Sequence, residues 1–168
     1  SQKQDLGFQL HFPHNLKDLN IITDHRRVQQ VLSNLLTNAL KYTEKGSIET
    51  GVEKITKAGK EHLMFYVKDT GSGIPDDKKE LVFNRFVKLN TERYQEGAGL
   101  GLSISRGIIE MLDGDIWFES EYGKGSTFYF TIPCCETDSI IEMKNNINYP
   151  PIGLEGKKII VAEDDINS

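Results

Sequence analysis

The sequence contains no hydrophobic run long enough to cross a membrane and no excess of positive charge. None of its apolar stretches approaches the roughly 20 residues that a transmembrane helix needs, and its N-terminus has no signal-peptide pattern. Lys and Arg number 20 against 25 Asp and Glu, which gives a net charge of −5. Because the basic residues are also dispersed, we expect no binding to nucleic acid and no membrane contact by this part of the protein.

Cysteine and the common nucleotide-binding motifs are equally scarce. The two cysteines, Cys134 and Cys135, are adjacent, so an ordinary disulfide between them is disfavoured and they give no metal-ligand spacing. This cysteine usage fits a reducing cytoplasm. The glycine-rich stretches match neither GxGxxG nor GxxxxGK(S/T), so neither a Rossmann fold nor a P-loop fold is predicted.

The order of the predicted elements indicates one α+β domain over residues 1–133. With 168 residues and 38% apolar content, the chain can bury one good core. Helical periodicity follows Asp24, the predicted N-cap, and ends near Gly46. A shorter helix is predicted after Pro75, and a third helix ends at Gly114. The first two strands are expected to form a hairpin. Strands are predicted at residues 7–12, 20–22, 46–55, 62–67, 115–120 and 126–132.

Three further segments interrupt or follow this domain. Residues 88–98 are polar and aperiodic, which predicts a mobile loop and a candidate lid over a site. Residues 134–156 contain two adjacent prolines and two glycines, a composition typical of a linker. Residues 157–168 have the pattern of an apolar strand that ends in acids, and they are too short to fold alone.

A carboxylate followed by two glycines stands at the end of one predicted strand. Asp69, Gly71 and Gly73 come directly after the buried run 63–67, so the carboxylate would lie at the edge of a sheet beside backbone that can bend sharply. That combination suggests a ligand pocket. An ordinary glycine turn fits the same residues equally well, because short glycine motifs are common.

Four polar or aromatic side chains share one side of the first predicted helix. Asn34, Asn38, Lys41 and Tyr42 are spaced so that they occupy an arc of roughly 100° beside the apolar face. Two amides, an ammonium group and an aromatic ring suit a Mg²⁺ ion, phosphates and a flat base. A solvated polar edge with Tyr42 half-buried is the alternative interpretation.

A second glycine cluster opens the third predicted helix. It comprises residues 97–102 and contains Gly97, Gly99 and Gly101. The free backbone N–H groups and the positive dipole end of a helix start favour phosphate. Tight packing of the helix against the sheet would explain the same glycines.

Taken together and in order, these motifs resemble those of the ATP-binding catalytic domain of sensor histidine kinases. That family belongs to the Bergerat-fold superfamily, with gyrase, MutL and the ninety-kilodalton heat-shock chaperone. The resemblance covers residues 6–133. It implies a two-layer α/β sandwich with a mixed, mostly antiparallel sheet, three main helices on one face and a flexible ATP lid. The matching stretches are the N box at 30–43, the first glycine box at 69–74, the F box at 82–86, the second glycine box at 97–104 and a strand motif at 123–128.

The resemblance also implies roles for individual residues in binding ATP and Mg²⁺. Asn38 would ligate Mg²⁺ through its amide oxygen, and Asn34, Lys41 and Arg85 would be catalytic residues near the phosphates. Asp69 would accept a hydrogen bond from the adenine amine and so select adenine over guanine. The remaining residues implied to contact the cofactor are Tyr42, Gly71, Gly73, Ile74, Gly97, Gly99, Leu100, Gly101, Leu102 and Thr127, together with Lys41.

The residue one helical turn before Asn38 bears on the choice between a kinase and an ATPase. The superfamily's ATPases carry a glutamate there that activates water, whereas this chain has Asn34, and an amide cannot accept that proton. The sequence therefore favours transfer of the γ-phosphoryl group to a histidine, which the family carries on a separate dimerisation domain. A gyrase- or MutL-like ATPase and a non-catalytic nucleotide-sensing module are the alternatives.

The acceptor histidine is not predicted within this chain. His11, His14, His25 and His62 all lack the family's flanking motif. We therefore interpret the chain as a fragment without its phosphoacceptor domain, and we do not expect it to autophosphorylate alone.

The last residues carry a second resemblance. Residues 159–167 resemble the first strand of a response-regulator receiver domain, in which Glu163 and Asp164 would belong to the acidic magnesium site. A chance apolar strand with acidic residues is the alternative. If the match holds, the parent is a hybrid histidine kinase. Its partners would be its own dimerisation domain and a receiver domain, either in the same chain or in a response regulator, and this chain would be the cytosolic portion of a membrane-anchored sensor.

Overall fold

The computed structural model describes residues 6–13, 16, 21–84 and 100–134. It contains two α-helices, one 3₁₀ helix and five strands within those ranges. In chain order the elements are β1 (Leu6–His11), α1 (His25–Tyr42), β2 (Gly46–Lys57), β3 (Lys60–Asp69), the 3₁₀ helix (Asp76–Leu81), α2 (Gly101–Met111), β4 (Ile116–Glu121) and β5 (Gly125–Pro133).

The five strands form one sheet in the order β1-β2-β3-β5-β4. β1 pairs in parallel with β2, and the other neighbouring pairs are antiparallel. Side chains alternate between the two faces of a strand, so Phe65 and Val67 lie on the same face as their partners across β5, Phe130 and Phe128. The helices pack on this face. The predicted α+β architecture with a mixed, mostly antiparallel sheet is confirmed.

One hydrophobic cluster joins the two α-helices to that face of the sheet. α1 contributes the fully buried Leu35 and α2 the fully buried Ile109. Phe130 from β5 is also fully buried, and its ring stacks on Phe65 with the centroids 4.8 Å apart. Burying each of these side chains contributes about 1.5–3 kcal/mol, so the cluster fixes where α1 and α2 lie on the sheet.

Helix α1 has well-defined ends, and its C-terminal end positions the site. Asp24 caps the start, as predicted, by accepting hydrogen bonds from the backbone amides of Arg26 and Arg27 at 3.1 and 3.3 Å. The helix stops at Thr43, whose backbone is extended and whose N–H donates to the Ala39 carbonyl at 3.0 Å.

The turn from α1 into β2 requires glycine at Gly46. This residue has φ of +113°, and a Cβ there would lie 2.1 Å from Oγ1 of Thr70. The Thr70 hydroxyl in turn accepts a hydrogen bond from the Ser47 amide at 2.9 Å. The start of β2 is therefore held against the loop that follows Asp69.

The prediction of a strand at 20–22 is wrong for Ile21 and Ile22, which lie outside any strand. Ile21 instead packs on a small cluster formed by Leu16, Val52 and Leu63 at the far end of the sheet. β1 does not form a hairpin with this segment and pairs with β2. The connection from β1 to β2 contains a whole helix, which is the kind of crossover that joins parallel strands.

Several predictions concern residues outside the described ranges. These are the lid at 88–98, Arg85, Gly97, Gly99, nearly all of the linker at 134–156 and the C-terminal strand at 157–168. The predicted shorter helix after Pro75 is present as the 3₁₀ helix. No helix in the described ranges combines the length and the apolar character that spanning a bilayer requires.

Candidate functional site

Asp69 lies at the end of β3 on the face that carries the helices. Its side chain is largely buried, with the residue 8% exposed, and Oδ1 accepts a hydrogen bond from the Gly71 amide at 2.8 Å. Burial raises the pKa of the Asp69 carboxyl above its usual value, while hydrogen bonds from backbone amides, chiefly that of Gly71, act in the opposite direction. A buried acceptor is therefore held by the loop that directly follows it.

The loop after Asp69 closes against the C-terminal end of α1. A Cβ on Gly71 would lie 2.4 Å from the Tyr42 carbonyl oxygen and 2.8 Å from Oδ1 of Asp69, so only glycine fits there. The Ser72 amide donates to the same Tyr42 carbonyl at 3.2 Å. The structure thus brings together Asp69, Gly71 and Tyr42, which the sequence assigned to one site.

The next part of this loop is fastened to the hairpin between β4 and β5. Gly73 has φ of +65°, and a Cβ on it would lie 2.1 Å from the Glu121 carbonyl oxygen. The Ile74 amide donates to the Ser120 hydroxyl at 2.8 Å. The Ile74 side chain is buried in the main hydrophobic cluster. Gly73 and Ile74 therefore hold the loop in place from the side away from α1.

The polar side of α1 presents its predicted residues together. Asn34, Asn38, Lys41 and Tyr42 are all half-buried, next to buried core positions of the same helix. Nζ of Lys41 lies 5.3 Å from the centroid of the Tyr42 ring, within range of a cation–π contact. This edge combines amide, ammonium and aromatic groups beside the loop of Asp69.

Asn34 connects α1 to the start of α2. Its Nδ2 donates to Oγ of Ser105 at 2.9 Å, and Ser105 is only 1% exposed. A Cβ on Gly101 would lie 2.3 Å from Oδ1 of Asn34. The predicted glycine at the start of α2 therefore allows a close approach of the Asn34 amide, so Gly101 and Asn34 do lie together.

The first turn of α2 has properties that favour an anion. The helix starts at Gly101 after Leu100 and has no side-chain cap and no acidic residue in its first turn. The Leu100 carbonyl accepts from the Ile104 amide at 3.0 Å and from the Ser103 hydroxyl at 2.9 Å. Leu102 packs against the hydrophobic cluster. Unpaired backbone N–H groups at such a helix start are available to a ligand.

The structure does not bring the Thr127 side chain to Asp69. Thr127 pairs with Lys68 and lies on the opposite face of the sheet. The residue opposite Asp69 is Ser126, whose Oγ is 2.9 Å from Oγ of Ser120. Thr127, which the motifs assign to the cofactor, therefore does not share the face of Asp69, whereas Ser126 does. Strand alternation could have found this, because Phe128 and Phe130 face the core.

Thr43 is a second residue near Asp69 that the sequence did not single out. It is fully buried at the end of α1, and a Cβ on Gly71 would lie 2.9 Å from its Oγ1 and 2.8 Å from Oδ1 of Asp69. Nothing in the local pattern distinguishes Thr43 from an ordinary helix-terminal threonine, because its role depends on a strand end that is 26 residues away in sequence (69 − 43).

A buried carboxylate beside a helix edge with amide, ammonium and aromatic groups, on an α+β sandwich, fits a domain that binds a nucleotide. The model of one family, described as the histidine kinase-, DNA gyrase B-, and HSP90-like ATPase, matches residues 23–136. This match covers more than half of the chain. The chain therefore belongs to that family.

The similar proteins are sensor histidine kinases. The autoinducer 2 sensor kinase/phosphatase LuxQ of Vibrio vulnificus, strain CMCP6, is 38% identical over 171 residues, covering 98% of this chain and 20% of LuxQ. The catalytic domain of the histidine kinase ThkA is 34% identical with a TM-score of 0.63, covering 77% of this chain and 80% of that one. Full-length ShkA, solved in complex with AMPPNP, is 30% identical with a TM-score of 0.64, covering 80% of this chain and 26% of that one.

These comparisons confirm two predictions made from the four motifs. The chain is a catalytic ATP-binding domain of the sensor histidine kinase type, and its fold is the Bergerat fold of that class. The chain spans about a fifth of the length of LuxQ.

Proposed function

We propose that this chain binds MgATP and presents its γ-phosphoryl group to a histidine on a separate dimerisation domain in two-component signalling. The observation that carries the proposal is Asp69, a buried carboxylate supplied with neutral donors and closed onto α1 through Gly71 and Tyr42. Kinship with sensor histidine kinases, one of them solved with AMPPNP, supports the same reaction class.

Asp69 would form the adenine end of the pocket. A carboxylate that accepts a hydrogen bond from the exocyclic amine of adenine gains about 1.5–3 kcal/mol. Guanine would place a keto oxygen at that point and be repelled. Tyr42 would line the nucleotide, because its backbone already contacts the loop that follows Asp69.

Asn38 would hold Mg²⁺ through its amide oxygen. Within the described ranges no group of three or more His, Cys, Asp or Glu side chains is arranged to hold a metal ion. A single amide oxygen is sufficient for Mg²⁺, which keeps most of its waters and takes phosphate oxygens as ligands. When bound, the ion would neutralise charge on the phosphates during transfer.

Lys41 and the first turn of α2 would hold the phosphates. Lys41 supplies an ammonium group near Asn38, and the start of α2 supplies backbone N–H groups with a favourable dipole. We assign Arg85 to the γ-phosphate, and Gly97 and Gly99 to the lid, from the motifs alone.

In the proposed reaction, a nitrogen of the acceptor histidine forms a bond to the γ-phosphorus of ATP. The bond between the γ-phosphorus and the bridging oxygen breaks, and ADP is the leaving group. Positioning and electrostatics supply the catalysis.

Asn34 favours transfer over hydrolysis. Its Nδ2 donates a hydrogen bond to Oγ of Ser105, and an amide cannot take a proton from water. The acceptor would be the protein's own dimerisation domain, and the phosphoryl group would pass on to a receiver domain of the same chain or of a response regulator. The domain would lie in the cytosolic part of a membrane-anchored sensor.

Two measurements test this function. Calorimetric titration with ADP and Mg²⁺ is expected to show binding that Asp69→Asn weakens about 10-fold or more. Labelled ATP, mixed with the chain and the dimerisation domain of its parent, is expected to label the histidine. Unchanged ADP affinity in Asp69→Asn would contradict the pocket, and steady phosphate release by the chain alone would support a gyrase-like ATPase instead.

A further inference from the structure

Three aromatic side chains form a row across the face of the sheet that lies opposite the helices. Tyr66 of β3, Tyr129 of β5 and Trp117 of β4 lie directly opposite one another on adjacent strands. The Trp117 and Tyr129 rings stack, with their centroids 5.2 Å apart and their planes 13° from parallel. All three side chains are half-buried. We call this row the aromatic strip.

The aromatic strip is held in place at its rims. A Cβ on Gly51 would lie 2.7 Å from both Cε1 and Oη of Tyr66, so the absence of a side chain lets the Tyr66 ring lie across β2. Its hydroxyl donates to Oε1 of Glu49 at 3.1 Å. The Tyr129 hydroxyl donates to Oε2 of Glu119 at 3.4 Å. The strip is therefore a preformed surface.

Carboxylates border the aromatic strip on two strands. Glu49 and Glu53 lie on this face of β2, and Glu119 lies on this face of β4. Glu49 is partly compensated by Nζ of Lys68 at 3.7 Å and by Nε2 of His11 at 3.5 Å. Within the described residues, Glu53 and Glu119 form no ion pair. The border of the strip thus carries uncompensated negative charge.

The two tyrosines respond to this charge. Burial, the hydrogen bond to Glu49 and the negative charges of Glu49 and Glu53 together raise the pKa of Tyr66 to about 12. Burial and then Glu119 raise the pKa of Tyr129 above its usual value. Both phenols therefore stay neutral at physiological pH, and their surroundings favour a cation over a second anion.

One end of the aromatic strip is open to the side. β4 is an edge strand, so the side of the Trp117 ring that is turned away from Tyr129 has no further strand beside it. Glu119 lies two residues along, on the same face of the same strand. A planar guanidinium group can stack on such a ring and donate to the carboxylate at the same time.

From this arrangement we propose that the aromatic strip is a docking surface for an arginine-bearing segment of a protein partner. Its guanidinium groups pack on the rings and pair with Glu53 and Glu119. The strip covers two strand spacings, roughly 10 Å, which an extended chain spans in about three residues. The inference goes beyond the proposed function and does not depend on it, because Asp69 lies on the other face of the sheet.

Charge argues against other occupants of this face. A second copy of the chain also carries a net charge of −5, and residues 135–168 contain more acidic than basic residues. Aromatic sheet faces can stack nucleic-acid bases, but the bordering carboxylates repel phosphates. A basic protein segment is the occupant whose charge complements the surface.

Trp117 provides a direct measurement, because it is the only tryptophan in the sequence. Titration with a synthetic peptide of Arg-Gly-Ser repeats is expected to change the tryptophan emission in a saturable way. A peptide with lysine in place of arginine carries the same charge but cannot stack as a planar group. We expect it to bind about 3-fold less tightly.

The decisive variant is the double replacement Glu53→Gln and Glu119→Gln, which keeps Trp117. Both positions are exposed, so the protein is expected to fold, and affinity for the arginine peptide is expected to fall about 5-fold. Asp77→Asn combined with Glu80→Gln is the matched control. It removes the same amount of charge from exposed positions of the 3₁₀ helix and is expected to bind the peptide as wild type does.

Each outcome decides the inference. Tryptophan emission that the arginine peptide does not change would overturn it, as would equal loss of affinity in the two double variants, which would indicate general attraction to an acidic protein. Equal binding of the lysine and arginine peptides would overturn the role of the rings, and this comparison decides alone if the Glu53 and Glu119 variant does not fold. Emission that shifts with protein concentration alone would assign the face to a second copy. None of these results changes the test of ADP binding.

Discussion

The two ends of the proposed pocket are built in different ways. At the base end, the loop after Asp69 touches backbone on both sides, with Gly71 against Tyr42 and Gly73 against Glu121. Hydrogen bonds from Ser72 and Ile74 fasten the same loop. Little at this end can move without breaking a contact between main chains.

At the phosphate end, the described contacts are made by side chains. Asn34 bonds to Ser105, and Lys41 lies over Tyr42, while Asn38 is half-buried on the same helix edge. Among the described glycines of α2, Gly101 is the one whose backbone lies close to a functional side chain, that of Asn34. The comparison suggests that base selection is preformed by the fold, whereas phosphate chemistry depends on how α1 and α2 hold individual side chains.

The largest effect is expected from Gly71→Ala at the base end. A Cβ there would meet the Tyr42 carbonyl oxygen, which is backbone and cannot turn aside. Overpacking of this kind lowers the free energy of unfolding by about 1–3 kcal/mol, and displacement of Asp69 is expected to weaken ADP binding about 30-fold or more. Urea unfolding and calorimetric titration measure the two effects.

Gly107→Ala on α2 is the control for that variant. A Cβ at Gly107 would meet nothing within 4 Å, and alanine is favoured over glycine inside a helix by about 0.5–1 kcal/mol. This variant is expected to be at least as stable as wild type and to bind ADP normally. Equal ADP affinity in Gly71→Ala and Gly107→Ala would show that the base end has room to adjust. The contrast between a rigid base end and a phosphate end that depends on side chains would then not hold.

A smaller effect is expected from the titration of Asp69. As pH rises, it should lower the free energy of unfolding and raise the affinity for ADP. The pKa of Asp69 is raised in the folded protein, so the folded state holds its proton at a pH where the unfolded state has lost it. As pH rises from the ordinary carboxyl range through this raised value, the contribution of Asp69 to the free energy of unfolding decreases. ADP binding, which needs the ionised form, increases over the same window.

Asp69→Asn is expected to separate these two effects. It should flatten the fall in stability with pH in the nucleotide-free protein and abolish the rise in ADP binding. Thermal unfolding and titration over the same pH series measure both. A variant that unfolds more readily than wild type at neutral pH would contradict the view that the buried charge is costly to the empty site.

The base end could be predicted from sequence to a large extent, because its signals are local. A buried strand run fixes Asp69 at a strand end, and glycines report the close approaches at 71 and 73. The periodicity of α1 likewise placed four side chains on one edge. The fold followed from the same patterns, together with the resemblance in four motifs.

The contacts between distant segments could not be predicted in this way. The hydrogen bond from Asn34 to Ser105 joins residues 71 apart, and Thr43 and Asp69 both border Gly71 only because β2 and β3 bring the strand end under α1. Alternation and connection rules add two points to these patterns. Alternation along β5 identifies Ser126 as the residue facing the core, and a helix between two strands predicts that β1 and β2 run in parallel.

The smallest effect is expected from Ser105→Ala at the phosphate end, and it tests whether the two ends are independent. The change removes the acceptor of the Asn34 amide and is expected to lower the free energy of unfolding by about 0.5–1.5 kcal/mol. ADP affinity should stay within about threefold of wild type, because the base end makes no contact through Ser105. Transfer of the phosphoryl group to the phosphoacceptor domain should slow, because Asn34 is no longer held against α2.

Ser33→Ala, at an exposed position of α1, controls for loss of a hydroxyl. If Ser105→Ala weakened ADP binding as much as Asp69→Asn, base reading and phosphate positioning would be one coupled unit, and the contrast between preformed and side-chain-dependent ends would have to be abandoned.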